Sequence, residues 1–269
     1  RWAVMQIADD RVVARGLVLD LDGLSGNVLA GPRLQRLAVS DGEGEFLHIE
    51  DLEIEWNGLA LLSGRVDIHS LVAARIDMDR RPSLVAAASA GGNLPAVRIS
   101  RLDVEALRFG EPVLGTEALF TLSGEARLRD DGAVAFEARR TDVVGDRLLA
   151  DLTWQAGGDI AGVFEAELAA DSPLAALAGL SGVATSVTGR LQGRADRGTG
   201  EAAVTLDGET VSEMEIAWQD DRWSLDAYTD ATRFPPRLET PFDASSTARL
   251  AGSLSPFMLD SANVEGRDW

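Results

Sequence analysis

Apolar and polar residues alternate with a period of two along most of this chain. Through Phe46–Trp56 the apolar positions are Leu47, Ile49, Leu52, Ile54 and Trp56, while Glu50, Asp51, Glu53 and Glu55 stay polar. A helix would scatter those acids around its circumference, whereas a strand collects them on one face. The same beat returns at Ala118-Phe120-Leu122, Val134-Phe136-Ala138 and Leu148-Ala150-Leu152-Trp154. It continues at Ala202-Val204-Leu206, Met214-Ile216-Trp218 and Trp223-Leu225-Ala227, the segments being separated by Gly, Asp and Ser. Short, evenly spaced alternating runs predict serial, mostly antiparallel β-structure. The alternation slips by one residue at Ile49 to Leu52, Ile68 to Leu71, Ile99 to Leu102 and Val104 to Leu107. Each slip inserts a residue, as a bulge does where a strand bends and keeps its apolar face inward. Periodicity alone leaves barrel, bent sandwich and open trough as alternatives.

Few helices are predicted. Ser172 as N-cap, Pro173 in the first turn and a closing Gly179 predict a short helix near 173–179. Trp2 to Val13 lacks alternation, so residues 1–16 read as a segment open to a helical conformation. A first β unit is expected over 17–82, a linker over 83–95 where the β pattern breaks, and a continuing β region over 96–269. Leu-Ser-Gly recurs at 24–26, 62–64, 122–124 and 180–182 with unequal spacings, which is degenerate duplication at most.

Composition narrows the chemistry. With 45% hydrophobic and 26% charged residues in 269, the chain has the make-up of a folded protein able to bury a core. Its 25 basic residues are all Arg, against 44 acidic ones, for a net charge of -19. That charge disfavours nucleic acid as a partner. The absence of Lys excludes a Walker A loop and Schiff-base chemistry within the chain, and the absence of Cys excludes thiol nucleophiles, disulfides and zinc–thiolate sites. No run approaches the roughly 18 apolar residues of a membrane span. The chain opens at Arg1 and reads as a piece of a longer protein.

No catalytic constellation emerges. Asp20-Leu21-Asp22-Gly23 lacks the Glu of a calcium loop. Gly23-Leu24-Ser25-Gly26 lacks the last Gly of a nucleophile elbow, since Asn27 stands there. Gly42-Glu43-Gly44 reads as a hairpin turn. His48 and His69 are expected to face solvent without a carboxylate partner, and Glu53, Glu55, Asp77 and Asp79 to lie on solvated polar faces. Trp56, Trp154, Trp218 and Trp223 fall in phase with aliphatic positions. Core packing is the plain reading for them, and the rim of an apolar trough is the functional one.

Several segments together carry a family resemblance. They are Leu24-Ser25-Gly26-Asn27-Val28-Leu29-Ala30-Gly31-Pro32, Leu37-Ala38-Val39-Ser40-Asp41, Gly44-Glu45-Phe46-Leu47 and Leu52-Glu53-Ile54-Glu55-Trp56. Ala60-Leu61-Leu62-Ser63-Gly64-Arg65-Val66-Asp67-Ile68, Leu71-Val72-Ala73-Ala74-Arg75-Ile76 and Arg81-Pro82 complete the block, and a looser likeness runs on from Leu94 to about residue 230. The block resembles the amino-terminal, periplasmic part of the TamB family of translocation and assembly module subunits, within the AsmA-like bridge proteins. Asn57 and Gly58 depart from the small residue and Pro usual in that family.

The resemblance implies an all-β fold: an elongated, curved antiparallel sheet forming an open groove or trough, with one or two short helices. It implies a non-enzymatic, cofactor-free periplasmic protein that conducts phospholipid acyl chains between inner and outer membranes. A single-pass helix before residue 1 would anchor it to the inner membrane, and a region after Trp269 would meet an outer-membrane barrel partner of the TamA type. The residues expected to line the groove are Leu47, Ile49, Leu52, Ile54, Trp56, Ile99, Leu102, Val104, Phe120, Leu122, Phe136, Leu152, Trp154, Ile216 and Trp218. A scaffold that assists insertion of outer-membrane barrels by β-augmentation is the alternative, and a polysaccharide-binding sandwich a third.

Overall fold

Each alternating run becomes a strand in the computed structural model, which describes residues 11–14, 17–27, 29–83, 96–128, 131–194, 196–220, 222–234, 245–254 and 257–266. The fold is all-β, with open sheets and only short helices, as the alternation predicts. Two compact units divide the chain: residues 1–129 with 138–142, and residues 130–137 with 143–269.

The first unit contains β1 (Arg11–Ala14), β2 (Leu17–Asp22), β3 (Ser25–Asn27), β4 (Gly31–Asp41) and β5 (Gly44–Trp56). A 3-10 turn (Gly58–Ser63) leads to β6 (Arg65–Met78), followed by β7 (Ala96–Phe109), α1 (Glu111–Leu114) and β8 (Ala118–Leu128). β1 pairs β2, β2 and β3 pair β4, and β4, β5 and β6 follow in antiparallel order. β7 then lies parallel to β6, with Val66 opposite Val97 and Met78 opposite Phe109, before β8 returns antiparallel.

The contact division falls near 130–143, and the parallel β6–β7 ladder joins the strand after the expected linker at 83–95 to the first sheet. Residues 84–95 lie outside the described residues. Of the segment 1–16, open to a helical conformation, residues Arg11–Ala14 form a strand. Val12 and Val13 pair with Leu19 and Val18, as suits β-branched side chains. Residues 1–10 lie outside the described residues.

β9 (Gly132–Arg140) is divided between the units, its residues up to Glu137 counting with the second, which continues with β10 (Arg147–Trp154) and β11 (Asp159–Leu168). After α2 (Pro173–Leu177) come β12 (Thr185–Arg194), β13 (Arg197–Leu206), β14 (Glu209–Gln219) and β15 (Arg222–Thr229). β16 (Ser246–Leu254) and β17 (Phe257–Gly266) close the series. From β10 to β17 every strand pairs antiparallel with the next. The predicted helix near 173–179 is present. Ser172 accepts hydrogen bonds from the backbone N–H of Leu174 and Ala175, and its hydroxyl donates to buried Asp146 Oδ2 at 2.8 Å. Beside it Val183, Leu206 and Val211 form a small buried cluster with Leu180, Val204 and Phe234.

Candidate functional site: an apolar sheet face in each unit

The strand register lines up the apolar positions of the first unit as rungs across the sheet. One rung runs Leu34, Leu52, Ala73, Val104, Leu122 on β4 to β8. Flanking it are Leu21-Leu37-Ile49-Ile76-Leu107-Phe120 on one side and Ile54-Leu71-Leu102 on the other. Further out lie Val39-Leu47-Met78-Phe109-Ala118 and Trp56-Ile68-Ile99-Ala126. Leu34, Leu52, Ala73 and Val104 are the buried centre, with the neighbouring rungs packed partly buried around them.

The sequence slips make this alignment possible. On β6 and β7 the slips coincide: Ile68 and Leu71 face Ile99 and Leu102, and Ala73 and Ile76 face Val104 and Leu107. β8 has no matching insertion, so the β7–β8 register shifts at both places. An extra residue on one side of a ladder bends and twists that strand. On β5 the slip falls at Asp51, which takes a left-handed φ of 48°.

The second unit repeats the device with a different texture. Its rungs include Trp154-Ile160-Gly193-Gly198-Trp218-Trp223-Gly252 and Leu152-Gly162-Leu191-Gly200-Ile216-Leu225-Leu250. A third runs Ala150-Phe164-Gly189-Ala202-Met214-Ala227-Ala248. Glycines alternate with large side chains, and the large groups lie across them. A Cβ on Gly198 would sit 2.1 Å from the Trp218 ring, one on Gly189 2.2 Å from the Phe164 ring, and one on Gly132 1.9 Å from the Trp154 ring. The rings thus cover neighbouring backbone instead of rising from the sheet, the arrangement in which an aromatic compensates a glycine across a ladder. Trp218 is fixed further by donating from Nε1 to the Arg194 carbonyl at 2.8 Å.

The face that results is apolar but not closed. Phe136, Phe164, Leu152 and Ile216 remain 36–39% exposed. At the hairpin end, where the Trp218–Trp223 rung finishes, a concavity of about 1010 Å³ is lined by Ile160 and both Trp side by side with Arg194, Arg197 and Arg222.

All fifteen sequence-predicted residues lie on strands. Leu47, Ile49, Leu52, Ile54, Trp56, Ile99, Leu102, Val104, Phe120 and Leu122 belong to the rungs of the first unit. Leu152, Trp154, Ile216 and Trp218 belong to those of the second, and Phe136 lies on β9. Their accessibility differs. Leu52, Val104 and Phe120 are buried, Phe120 meeting Phe109 edge to face at 5.9 Å between centroids, so these three form the floor of the face and not its surface. Leu34, Ala73 and the glycines under the rings were not singled out from sequence. For the glycines the signal was present, since each occupies an apolar-phase position beside a strand that carries an aromatic.

The opposite face of the first unit corrects the expectations for His48 and Asp77. His48 lies directly across from Asp77 on β6, its Nε2 2.8 Å from Asp77 Oδ2. Asp77 is buried, and it accepts hydrogen bonds from Arg75 Nε at 2.7 Å and Arg108 Nε at 2.5 Å. Burial alone would raise its carboxyl, but the two guanidinium hydrogen bonds outweigh it and the group is held below the usual carboxylate range. Arg108 also reaches Asp79 and Glu117. His69, by contrast, is exposed as expected. The His48–Asp77–Arg108 row bridges three strands and reads as a cross-strand tie. Among the described residues no cluster of three or more metal-ligating side chains is present.

Comparison of the chain with protein-family models, curated proteins and solved structures returns no match.

Proposed function

We propose that the apolar faces of this protein carry the acyl chains of phospholipids, in the manner of a non-catalytic bridge between two membranes. The observation that carries this reading is the half-exposed apolar face of the second unit, where Leu152, Phe164 and Ile216 lie on adjoining rungs with rings laid flat over glycine. A low-relief surface of this kind has no pocket of fixed shape. It suits flexible chains held by many small dispersion contacts. A diacyl lipid crossing water would expose on the order of 30 methylenes, and at about 0.8 kcal/mol each the barrier exceeds about 20 kcal/mol. A continuous apolar surface lowers that barrier without a nucleophile, metal or nucleotide. The resemblance to the TamB family supports the same assignment, and with it a periplasmic location and a barrel partner in the outer membrane.

The test is lipid extraction and mass spectrometry of the purified chain, together with titration of a fluorescent fatty acid. Leu152→Asp and Ile216→Asp are expected to remove acyl-probe binding while far-UV circular dichroism stays unchanged. Phe120→Asp is expected to unfold the first unit, because its ring is buried. Folded Leu152→Asp and Ile216→Asp variants that bind the probe as well as the parent would refute the assignment.

A further inference from the structure

One end of the first unit has a composition unlike the rest. Residues 23–32 and 57–64 contain no charged side chain, in a chain that is 26% charged. A backbone hydrogen bond joins the two segments, Gly58 N–H donating to the Leu29 carbonyl at 2.9 Å. Beside it Trp56 N–H donates to the Ala30 carbonyl at 3.0 Å, and Asn57 N–H ties the second segment to β6 at the Asp67 carbonyl, 2.8 Å away. Asn27 Oδ1 accepts from Leu29 N–H at 2.9 Å. Contact is so close that a Cβ on Gly58 would stand 2.6 Å from the Leu29 carbonyl oxygen.

This rigid tip holds Leu24, Leu29, Leu59 and Leu62 outward, 53% to 88% exposed. Leucines that could fold back are no anomaly, but leucines fixed in water by their own backbone mark a contact surface. Exposed acids Asp22 and Glu55 border the tip on β2 and β5, but the charge changes on the strands beside them. Past the rung of Trp56, Ile68, Ile99 and Ala126, the charged residues of β6, β7 and β8 are Arg65, Asp67, Arg98 and Arg127. The three arginines are exposed, whereas Asp67 is not, in a protein of net charge -19.

We propose that this end of the first unit docks onto a phospholipid bilayer. Its leucines enter the boundary between headgroups and acyl chains, and Arg65, Arg98 and Arg127 meet lipid phosphates. Uncharged, leucine-bearing loops flanked by arginine match the apolar layer and the phosphate layer of a membrane in that order. This docking does not depend on whether the sheet faces carry acyl chains.

The chain has no Cys, so a single introduced thiol labels one position cleanly. An environment-sensitive fluorophore on Leu62→Cys is expected to shift to the blue when phosphatidylcholine vesicles are added, and to be quenched by nitroxides on the lipid chains. The same label on Glu111→Cys, on α1 beyond the far ends of β6 and β7, is expected to do neither. Adding Leu29→Ser and Leu59→Ser to the Leu62→Cys protein should lower vesicle partition about ten-fold or more, with circular dichroism unchanged. Replacing Arg65, Arg98 and Arg127 by Gln should lower it several-fold. Three results would each overturn the proposal: no response at Leu62, equal responses at Leu62 and Glu111, or a shift that grows with protein concentration in the absence of vesicles. The last would assign the tip to a second copy of the chain.

Discussion

Gly132→Ala tests whether the second unit is stabilised by rings lying over glycine. Gly132 is buried, its backbone is not left-handed, and the nearest atoms to a Cβ there are all in the Trp154 ring, at 1.9, 2.0 and 2.6 Å. One methyl group therefore has to move an indole. A Trp side chain buries about 150–250 Å² when packed. Trp154 is partly buried, so lifting the ring re-exposes on the order of 100 Å². At about 25 cal/mol per Å² that costs about 2.5 kcal/mol. Replacing a strand glycine by alanine returns about 0.5–1 kcal/mol of backbone entropy. Gly132→Ala is thus expected to destabilise by about 1.5–2 kcal/mol. In a Trp154→Ala background the obstruction is gone and the same change should be neutral or slightly stabilising. Urea unfolding followed by far-UV circular dichroism on the four proteins of this cycle gives the coupling, about 2–3 kcal/mol. An equal effect of Gly132→Ala in both backgrounds would refute the packing argument.

The polar side of the fold yields further expectations. Asp41, Asp77, Asp142 and Asp230 all hold their carboxyls below the usual range. The first is lowered chiefly by the Arg80 hydrogen bond, Asp142 by Arg140 and Asp230 by Thr232, while Asp77 is lowered against its own burial by Arg75 and Arg108. The folded state then binds fewer protons than the unfolded one. Its stability is complete above the unfolded carboxylate value of about 3.9 and falls as pH drops through the folded values. Urea midpoints at pH 7, 4 and 2.5 should decline in that order, and less steeply for Asp41→Asn. Asp77→Ala takes away the carboxylate shared by Arg75, Arg108 and His48, and should cost about 2–3 kcal/mol, below the full penalty of a buried pair because both arginines reach solvent and Arg108 keeps Asp79 and Glu117. Ser172→Ala removes the cap of α2 and the partner of Asp146, with an expected loss of about 1–2 kcal/mol in the same assay.

The strands were legible because one face of each is apolar, and period two survives in any local context. The bulges were legible for the same reason. A slip from Ile99 to Leu102 only makes sense if a strand bends to keep both residues on one side, and there the β7–β8 register shifts. What the sequence could not supply was pairing between distant strands. His48 and Asp77 stand 29 positions apart and each follows the polar phase of its own strand, so nothing local marks them as partners. Parallel pairing of β6 with β7 was hidden likewise, since the break after Arg81 looks the same whether the next strand starts a new unit or returns to the old one. For the candidate face, phase identified Ile216 and Phe120 equally. Only the contacts separate them, because Phe120 has Phe109 against it and Ile216 has a glycine on one side.

An apolar face left open to water has to be reconciled with folding. A one-layer sheet ordinarily buries its greasy side against a second layer, and the large contribution to stability comes from that burial. In the second unit Leu152, Phe164 and Ile216 stay more than a third exposed, so on that face part of the burial is found within the layer itself. Laying rings across glycine supplies it. Trp218 over Gly198, Phe164 over Gly189 and Trp154 over Gly132 each cover one aromatic face and the backbone beneath it, leaving the other face outward. The His48–Asp77–Arg108 row ties strands on the polar side of the first unit in a comparable way, without a second layer. A fold stabilised inside its own sheet can keep an apolar surface free, whereas one stabilised by a covering layer would lose cohesion on opening. Function and stability therefore draw on different sides of the same rings. Substitutions that spare the ring–glycine contact but add charge outward, such as Ile216→Asp, should separate the two properties.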